Sequence, residues 1–537
     1  MKNNVFTPQD IEFVIESTIG KLDDIMAMAD EAEREDALRC RVDFITEVGV
    51  QVAREVEKIR GDGENKVIIF AGDDINGAYA LQTATELHRK GTRAVVYLFN
   101  IGGNLLTVDA RMARERFLDL VDPAYLIEVI GQGQNFRMPK MDRKMIVVDG
   151  LFGREYKKPL RGGYQAVARE INENHPFVVS IDLPSGMDPE LSVGMINRNI
   201  IHASLTLTLV GPSLAFYMPE NSILLGRWKV LNVSLNHHAL KEITCTTRVM
   251  DTRALRTVLK PRSAFASKQD LGDCIIFAGS YGMMGAAVLC AQAACRSGCG
   301  RVTVHTARCG YQIIQTAVPS AMFTTDGSEM ALERFENPHK CRGIAIGPGL
   351  GTSDNTMRGL ETFLKACTAQ NVPVVLDADA LNCISRNPLI LEHVPPRSIM
   401  TPHNGEFDRI FGTQPTHAAR VLKAITESRR HQIIIVLKGH YTLTIWPNGN
   451  ILINPTGTEA LATAGSGDVL TGLMAGLVAQ NIIPDVAAAA AVYIHGIAGQ
   501  IAAEHYGVFG TTSEDIVECL GEAISATIYP QKADNTQ

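Results

Sequence analysis

The sequence predicts an α/β protein of two domains, each built on a mostly parallel sheet with helices on both faces. Three observations carry this expectation. Short aliphatic runs alternate with amphipathic stretches over most of the 537 residues. Those runs are apolar throughout rather than alternating, as strands buried on both faces must be. The alternation also stops once, between residues 235 and 267, and then begins again. Composition agrees, because 46% hydrophobic and 20% charged residues suit sizeable cores and argue against disorder. A net charge of −7 supplies no basic field for nucleic acid or anionic lipid, so neither is expected as a partner.

The first stretch reads as helical. Thr7-Pro8 offers an N-cap with Pro at the first helical position, and apolar residues recur at helical spacing through Leu22, Ile25 and Met26, then Phe44, Val48 and Val52. Strands are expected at Val67–Ala71, Ala94–Phe99, 145–148, Phe177–Ile181 and 205–210. The pause contains Asn236-His237-His238, a basic stretch over 253–262 and Pro261, which divides the chain into domains 1–238 and 239–537. A second series of strands is expected at 274–278, 302–305, Gly343–Ile346, 372–376, Ile399–Met400 and 433–437. Each run ends in a turn rich in Gly, Pro or Asp, and in open α/β sheets the ligand crevice lies at those carboxyl ends. The apolar stretch 486–503 is mostly Ala and Gly and carries Tyr493, His495 and Gln500, so it reads as a closely packed core helix rather than a membrane span. Met1-Lys2-Asn3-Asn4-Val5 lacks the apolar run of a secretory signal, and eleven cysteines are too few for a disulfide scaffold, so a cytoplasmic location is expected.

The strongest single signal is Gly465-Ser466-Gly467-Asp468, a small-residue turn leading into an apolar helix. Backbone N–H groups at such a helix start form an anion hole for a phosphoryl group, and Asp468 stands where a carboxylate can take the proton of an attacking hydroxyl. The plain alternative is an Asp that favours the helix dipole. Other strand ends carry Gly279-Ser280-Tyr281-Gly282, Gly347-Pro348-Gly349-Leu350-Gly351, Asp377-Ala378-Asp379, Lys438-Gly439 and His403 within Thr401-Pro402-His403-Asn404-Gly405-Glu406. The two Asp residues can hold Mg²⁺ through water or cap a turn; Lys438 can meet nucleotide phosphates or simply be solvated; His403 can contact a substrate or serve the fold. Cys290, Cys295, Cys299 and Cys309 lie near His305 without any C-x-x-C, which favours buried thiols over zinc.

Together, AGSYGMMGAA, GPGLG, LDADAL, TPHNGEF, LKG and ATAGSGDVLTG, in this order between Ala278 and Gly472, closely resemble the ADP- or ATP-dependent NAD(P)HX dehydratases, a ribokinase-like family. The resemblance implies that Ala278, Gly349, His403 and Asp468 contact the hydrated nicotinamide nucleotide. It implies that Lys438, Gly439, Gly465, Ser466 and Gly467 bind the phosphoryl donor, with ADP or ATP in that role, and that Asp468 is the catalytic base. Hydroxide is a poor leaving group, whereas a phosphate ester expels a stabilised anion, so phosphorylating the ring hydroxyl opens a route back to NADH or NADPH. Two stretches depart from the family pattern. Gly457-Thr458-Glu459-Ala460-Leu461 stands for G-N-P-G-M, and Ser267-Lys268-Gln269 for H-K-G.

In the first domain, Asp149-Gly150-Leu151-Phe152-Gly153 and Asp182-Leu183-Pro184-Ser185-Gly186 follow two expected strands. Acids at the ends of neighbouring strands can share one site, one holding a cation and one moving a proton, or can cap turns. The arrangement resembles the NAD(P)HX epimerase domain. That likeness implies K⁺ at Asn76, Asp149 and Ser185, and Asp182 as the substrate-binding, proton-transfer residue. It also implies a substrate loop over 153–159 that includes Gly153, Arg154, Tyr156 and Lys158. The family's N-N-G-G-D-G is here Ile75-Asn76-Gly77-Ala78-Tyr79-Ala80, so a Tyr replaces the acid and two backbone positions gain Cβ atoms.

The two resemblances imply a Rossmann-like α/β sandwich over 1–238 and a ribokinase-like α/β sandwich over 239–537. The expected function is repair of NADHX and NADPHX by a homo-oligomer: epimerisation of R and S forms, and dehydration of the S form. One rival is a ribokinase-like kinase that phosphorylates a vitamin precursor or sugar and stops there. Another is a dehydratase with a non-catalytic N-terminal binding module.

Overall fold

A crossover connection from each strand to a parallel neighbour requires a helix between them, and the computed structural model has that grammar in both halves. It describes residues 3–61, 63, 65–101, 106–131, 137–190, 199–337 and 339–529. The chain divides into two compact units, Asn4–Cys245 with Thr416–Ala418, and Thr246–Pro415 with the residues from Ala419 onward.

In the N-terminal unit the strands lie in the order Leu126–Val129, Ala94–Phe99, Val67–Ala71, Ile146–Gly150, Phe177–Ile181, Leu205–Thr208 and Arg227–Val230, all parallel. Chain order therefore reverses between Val67–Ala71 and Ile146–Gly150, and a ligand crevice forms where the loops after those two strands diverge. Thr7 caps the helix Pro8–Ile19 with a reciprocal capping box to Asp10, as the Thr-Pro signal predicts. The edge strands Leu126–Val129 and Arg227–Val230 were not expected. Arg227-Trp228-Lys229-Val230 is largely exposed and so lacks the apolar run by which its neighbours are recognised.

The C-terminal sheet runs Met322–Thr324, Arg301–His305, Asp273–Phe277, Gly343–Ile346, Val375–Leu376, Ile399–Met400 and Ile434–Leu437 in parallel. Its order reverses between Asp273–Phe277 and Gly343–Ile346, which sets a second crevice at their carboxyl ends. Beyond Ile434–Leu437 the sheet continues with Leu443–Ile445, antiparallel to both neighbours, then Ile451–Ile453 and Thr247–Val249.

One packing contact fixes the helix Ser466–Ala479. Ser466–Ala479 lies against Met284–Arg296 with backbones close enough that a Cβ at Gly472 would fall 1.9 Å from the carbonyl oxygen of Cys290. Small residues are the condition for that approach, and the helix Pro484–Tyr506 extends the same logic with Ala487–Ala491 all buried. This last helix is long and apolar enough to cross a membrane, but most of it is buried within the C-terminal unit. Gly472→Ala should cost about 1–3 kcal/mol by overpacking, read as a lowered melting temperature; an unchanged melt would show that the helices separate without penalty.

Candidate active sites

At the C-terminal crevice, Gly465 takes a left-handed conformation (φ 88°) and starts the helix Ser466–Ala479 with no side chain capping its first N–H groups. Ser466 N donates to Thr463 O at 3.4 Å, while the N–H groups that follow are open to a ligand, and Asp468 sits in this first turn. Ser466 is anchored from below, its Oγ 3.2 Å from His495 Nε2. Burial pushes that imidazole down to about 4, so it stays neutral beneath the anion hole.

Lys438, at the end of Ile434–Leu437, donates from Nζ to Asp377 Oδ1 at 2.9 Å and stands 4.0 Å from Glu406 Oε2. Burial acts to lower the ammonium, but the carboxylates of Asp377 and Glu406 overcome it and hold Lys438 above the usual lysine range. The other oxygen of Asp377 accepts from Thr471 Oγ1 at 2.7 Å, so one carboxylate ties the ends of two strands to the helix Ser466–Ala479. Gly467 faces this pair. A Cβ there would lie 3.5 Å from Lys438 Nζ and 3.6 Å from Asp377 Oδ2, inside the space between helix start and ammonium. Burial, then the charge of Asp377, raises the Asp468 carboxyl to about 7, with Lys438 opposing.

Asp377 and Asp379, which can also be read as a water-mediated Mg²⁺ pair, already accept hydrogen bonds from the chain. Asp377 is shared between Lys438 and Thr471, and Asp379 accepts from Gly351 N at 2.8 Å and Asn382 Nδ2 at 3.0 Å. Among the described residues no group of three His, Cys, Asp or Glu side chains converges as a metal site. Asp377→Asn should leave the chain folded and raise KM for the phosphoryl donor by about tenfold, the scale of a hydrogen bond to a charged group. Steady-state kinetics with the donor varied would check it, and an unchanged donor KM would remove Asp377 from the site.

Ala278 is buried at the end of Asp273–Phe277, and the next residue, Gly279, donates its N–H to Pro348 O at 2.8 Å. Gly349 (φ 60°) packs on the same loop so closely that a Cβ would sit 2.5 Å from Met283 O, and its carbonyl accepts from Ser280 Oγ at 2.8 Å. His403 has a structural task. Its Nδ1 accepts the N–H groups of Gly405 and Glu406, while Glu406 returns a bond to His403 N at 2.9 Å, a capping box for Asn404–Phe411. With Nδ1 an acceptor, the proton belongs on Nε2, on the half-exposed edge of the ring. Gly439 is exposed and donates to Thr442 Oγ1 at 3.3 Å. His305 bonds Thr324 and Arg334 O, a structural role apart from the neighbouring thiols.

The N-terminal crevice gathers Asn76, Asp149, Ser185, Asp182, Gly153 and Arg154. Asp149 is fully buried. It accepts from Ser180 Oγ at 2.8 Å, Ser185 N at 2.9 Å and Ser185 Oγ at 2.5 Å, and burial outweighs these bonds in raising its carboxyl. Asn76 is 1% exposed, and its Oδ1 has no hydrogen-bond partner. An orphaned buried carbonyl oxygen, together with a buried carboxylate and a serine hydroxyl, supplies oxygen donors of the kind a hard cation takes, so these residue types are compatible with K⁺. Asp182 is in the left-handed region (φ 64°), and its carboxylate takes both arms of Arg154, from Nε at 2.9 Å and Nη2 at 2.5 Å. Tyr156 stacks on Phe152 with ring centroids 4.0 Å apart and lines a cavity of about 370 Å³, whereas Lys158 is exposed and lines no part of it.

The helix Ile75–Arg89 contrasts with Ser466–Ala479. Its first donors, the N–H groups of Asn76 and Gly77, bond Asp74 Oδ1 at 2.9 and 3.2 Å, so the anion hole is filled by the chain's own carboxylate. Burial raises that carboxyl to about 7 against the capping bonds. Tyr79, in place of the family's acid, is buried and lines the crevice.

Two family models match the chain, one for NAD(P)H-hydrate dehydratase over residues 274–521 and one for the YjeF-related protein N-terminus over residues 43–215. The bifunctional NAD(P)H-hydrate repair enzyme Nnr of Moorella thermoacetica is 31% identical over 88% of this chain and 90% of its own length. The chain belongs to the bifunctional NAD(P)H-hydrate repair enzyme family. Its counterpart from Thermofilum pendens is 29% identical over 89% of this chain and 91% of its own. A solved ADP/ATP-dependent NAD(P)H-hydrate dehydratase from Bacillus subtilis, co-crystallized with ATP/Mg2+, is 29% identical, covers 52% of this chain and 98% of its own, and has a TM-score of 0.46.

Within this family chain, sequence reasoning missed four side chains that shape the sites: Thr471, Glu406, His495 and Asp74. Asp74 had a readable signal, an Asp two and three residues before the N–H groups it caps, and Glu406 had another, three residues after the helix-capping His403. Thr471 and His495 act across long sequence separations and leave no local trace.

Proposed function

We propose that this chain repairs hydrated nicotinamide dinucleotides, with dehydration of S-NADHX and S-NADPHX at the C-terminal crevice and R–S epimerisation at the N-terminal one. The observation that carries the first activity is the uncapped start of Ser466–Ala479 with Asp468 beside it and an anchored ammonium opposite. The ring hydroxyl attacks the terminal phosphorus of ADP or ATP. Asp468 takes the hydroxyl proton as the new O–P bond forms and the bond to the departing AMP or ADP breaks. The N–H groups of the turn and Lys438 stabilise charge on the transferring phosphoryl group. The ring nitrogen's lone pair then expels phosphate, and loss of a proton from the adjacent carbon restores the dihydropyridine. Any Mg²⁺ enters with the donor's phosphates, which suit it better than the committed carboxylates of this site.

At the N-terminal crevice, Asp182 moves a proton to and from the ring hydroxyl while that C–O bond breaks and re-forms on the opposite face. K⁺ held by Asn76, Asp149 and Ser185 would supply fixed positive charge beside a ligand that carries phosphates. The family relationship supports this reading over a binding module without turnover. Free thiols at all eleven cysteines support a reducing, cytoplasmic setting, and assembly as a homo-oligomer remains part of the proposal.

The test is to supply synthetic S-NADHX with Mg²⁺ and either ADP or ATP, and to follow the absorbance of the restored dihydropyridine. Recovery with at least one donor is expected. A stable phosphorylated product without recovery would favour the kinase reading, and no reaction with either donor would sink both.

A further inference from the structure

Among the described residues lining the inner cavity of the N-terminal crevice, Arg154 is the one basic side chain, set against the carboxylates of Glu12, Glu16, Asp74, Glu155 and Asp182. That arginine is committed. Its fork closes on both oxygens of Asp182, and both side chains are less than a tenth exposed. The cavity beside the pair measures about 40 Å³, room for a few water molecules and not for a nicotinamide ring. A cavity of about 370 Å³ adjoins it through the shared residues Asp74 and Glu155, large enough to admit part of a nucleotide. The usual receptor for a phosphate in this fold is already filled, because the N–H groups of Asn76 and Gly77 serve Asp74.

An anionic ligand reaching the described lining of this inner cavity therefore meets carboxylates and one guanidinium, which is the group holding Asp182. A guanidinium fork accepts phosphate as readily as carboxylate, so trading one for the other leaves Arg154 satisfied. We propose that Arg154 is the specificity-determining residue of the epimerase site: it leaves Asp182 to grip the ligand's phosphate, and so frees the Asp182 carboxylate for the ring hydroxyl. Turnover then requires a ligand that carries phosphate. This rests on the reading of the N-terminal unit as an epimerase.

The experiment compares R-NADHX with the corresponding hydrated dihydronicotinamide riboside, which has the ring and ribose but no phosphate. R-to-S conversion is followed chromatographically without any phosphoryl donor, and a melting curve is recorded for each variant. The wild-type chain should convert the dinucleotide and leave the riboside at about a hundredfold lower kcat/KM, the scale of a lost bidentate charge contact. Arg154→Ala should raise KM for the dinucleotide about tenfold or more while raising kcat/KM for the riboside above wild type, because Asp182 is then permanently released. Arg154→Lys, a point charge without the fork, should fall between the two on both substrates. Equal losses on both substrates in folded Arg154→Ala, or a wild-type chain indifferent to the phosphate, would overturn the proposal. Failure of the wild-type chain to convert R-NADHX at all would instead overturn the epimerase reading, and this inference with it.

Discussion

Asp468→Asn should abolish recovery of NADH from S-NADHX, with a loss in kcat of about 10²–10⁴-fold, the usual contribution of a positioned general base. The amide keeps the shape of the side chain but cannot take the hydroxyl proton, so KM for both substrates should move little. The same residue sets a pH dependence. Burial and the neighbouring charge of Asp377 lift its carboxyl to about 7, with Asp379 and Glu406 adding to the rise and Lys438 opposing it. Only the deprotonated form accepts a proton, so kcat/KM should fall about tenfold per pH unit on the acid side of 7 and level off above it. A pH profile that stays flat down to pH 5 would mean another group is the base. Asp468→Asn with near-normal kcat would end the assignment outright.

Asp182→Asn should stop use of the R epimer while leaving dehydration of the S epimer at its wild-type rate. The two substrates are chemically identical except at one carbon, so this split cannot arise from general loss of stability. A fall of about 10²–10⁴-fold in R-to-S conversion is expected. Neutralising Asp182 also leaves a buried guanidinium without its partner, which costs about 3–5 kcal/mol where a buried pair is broken. The variant should therefore melt earlier as well. A variant that used R and S alike would show that the hydroxyl proton is moved elsewhere.

The parts of this molecule that were legible in the sequence share one property: they are written locally. Val67–Ala71, Gly343–Ile346 and Ile434–Leu437 are buried on both faces, so their apolar runs stand out, and the turns after them point to both crevices. Leu443–Ile445 and Ile451–Ile453 are just as apolar, and the intervening Pro447-Asn448-Gly449-Asn450 was a turn signal that the βαβ rhythm obscured. The charge network was unreadable for a different reason. Lys438 and Asp377 are sixty-one residues apart, and Thr471 is ninety-four from Asp377. Either carboxylate of Asp377-Ala378-Asp379 is equally plausible as a metal ligand until its donors are placed. Likewise, the loss of glycines from Ile75–Ala80 announced an altered loop, but not that Asp74 would occupy the donors a phosphate would seek.

The close backbone contact between Ser466–Ala479 and Met284–Arg296 bears on how the dehydratase can change over time. A helix that touches its neighbour through main-chain atoms admits almost no side-chain variation on that face, and it cannot slide or tilt to meet a different ligand. The donors at its start are thus fixed in the course of folding, so nucleotide capture needs little ordering and should show the modest heat-capacity change of a preformed site. New substrate preferences in descendants of this chain would have to be written in the loops that face the helix, while the helix itself is passed on nearly unaltered.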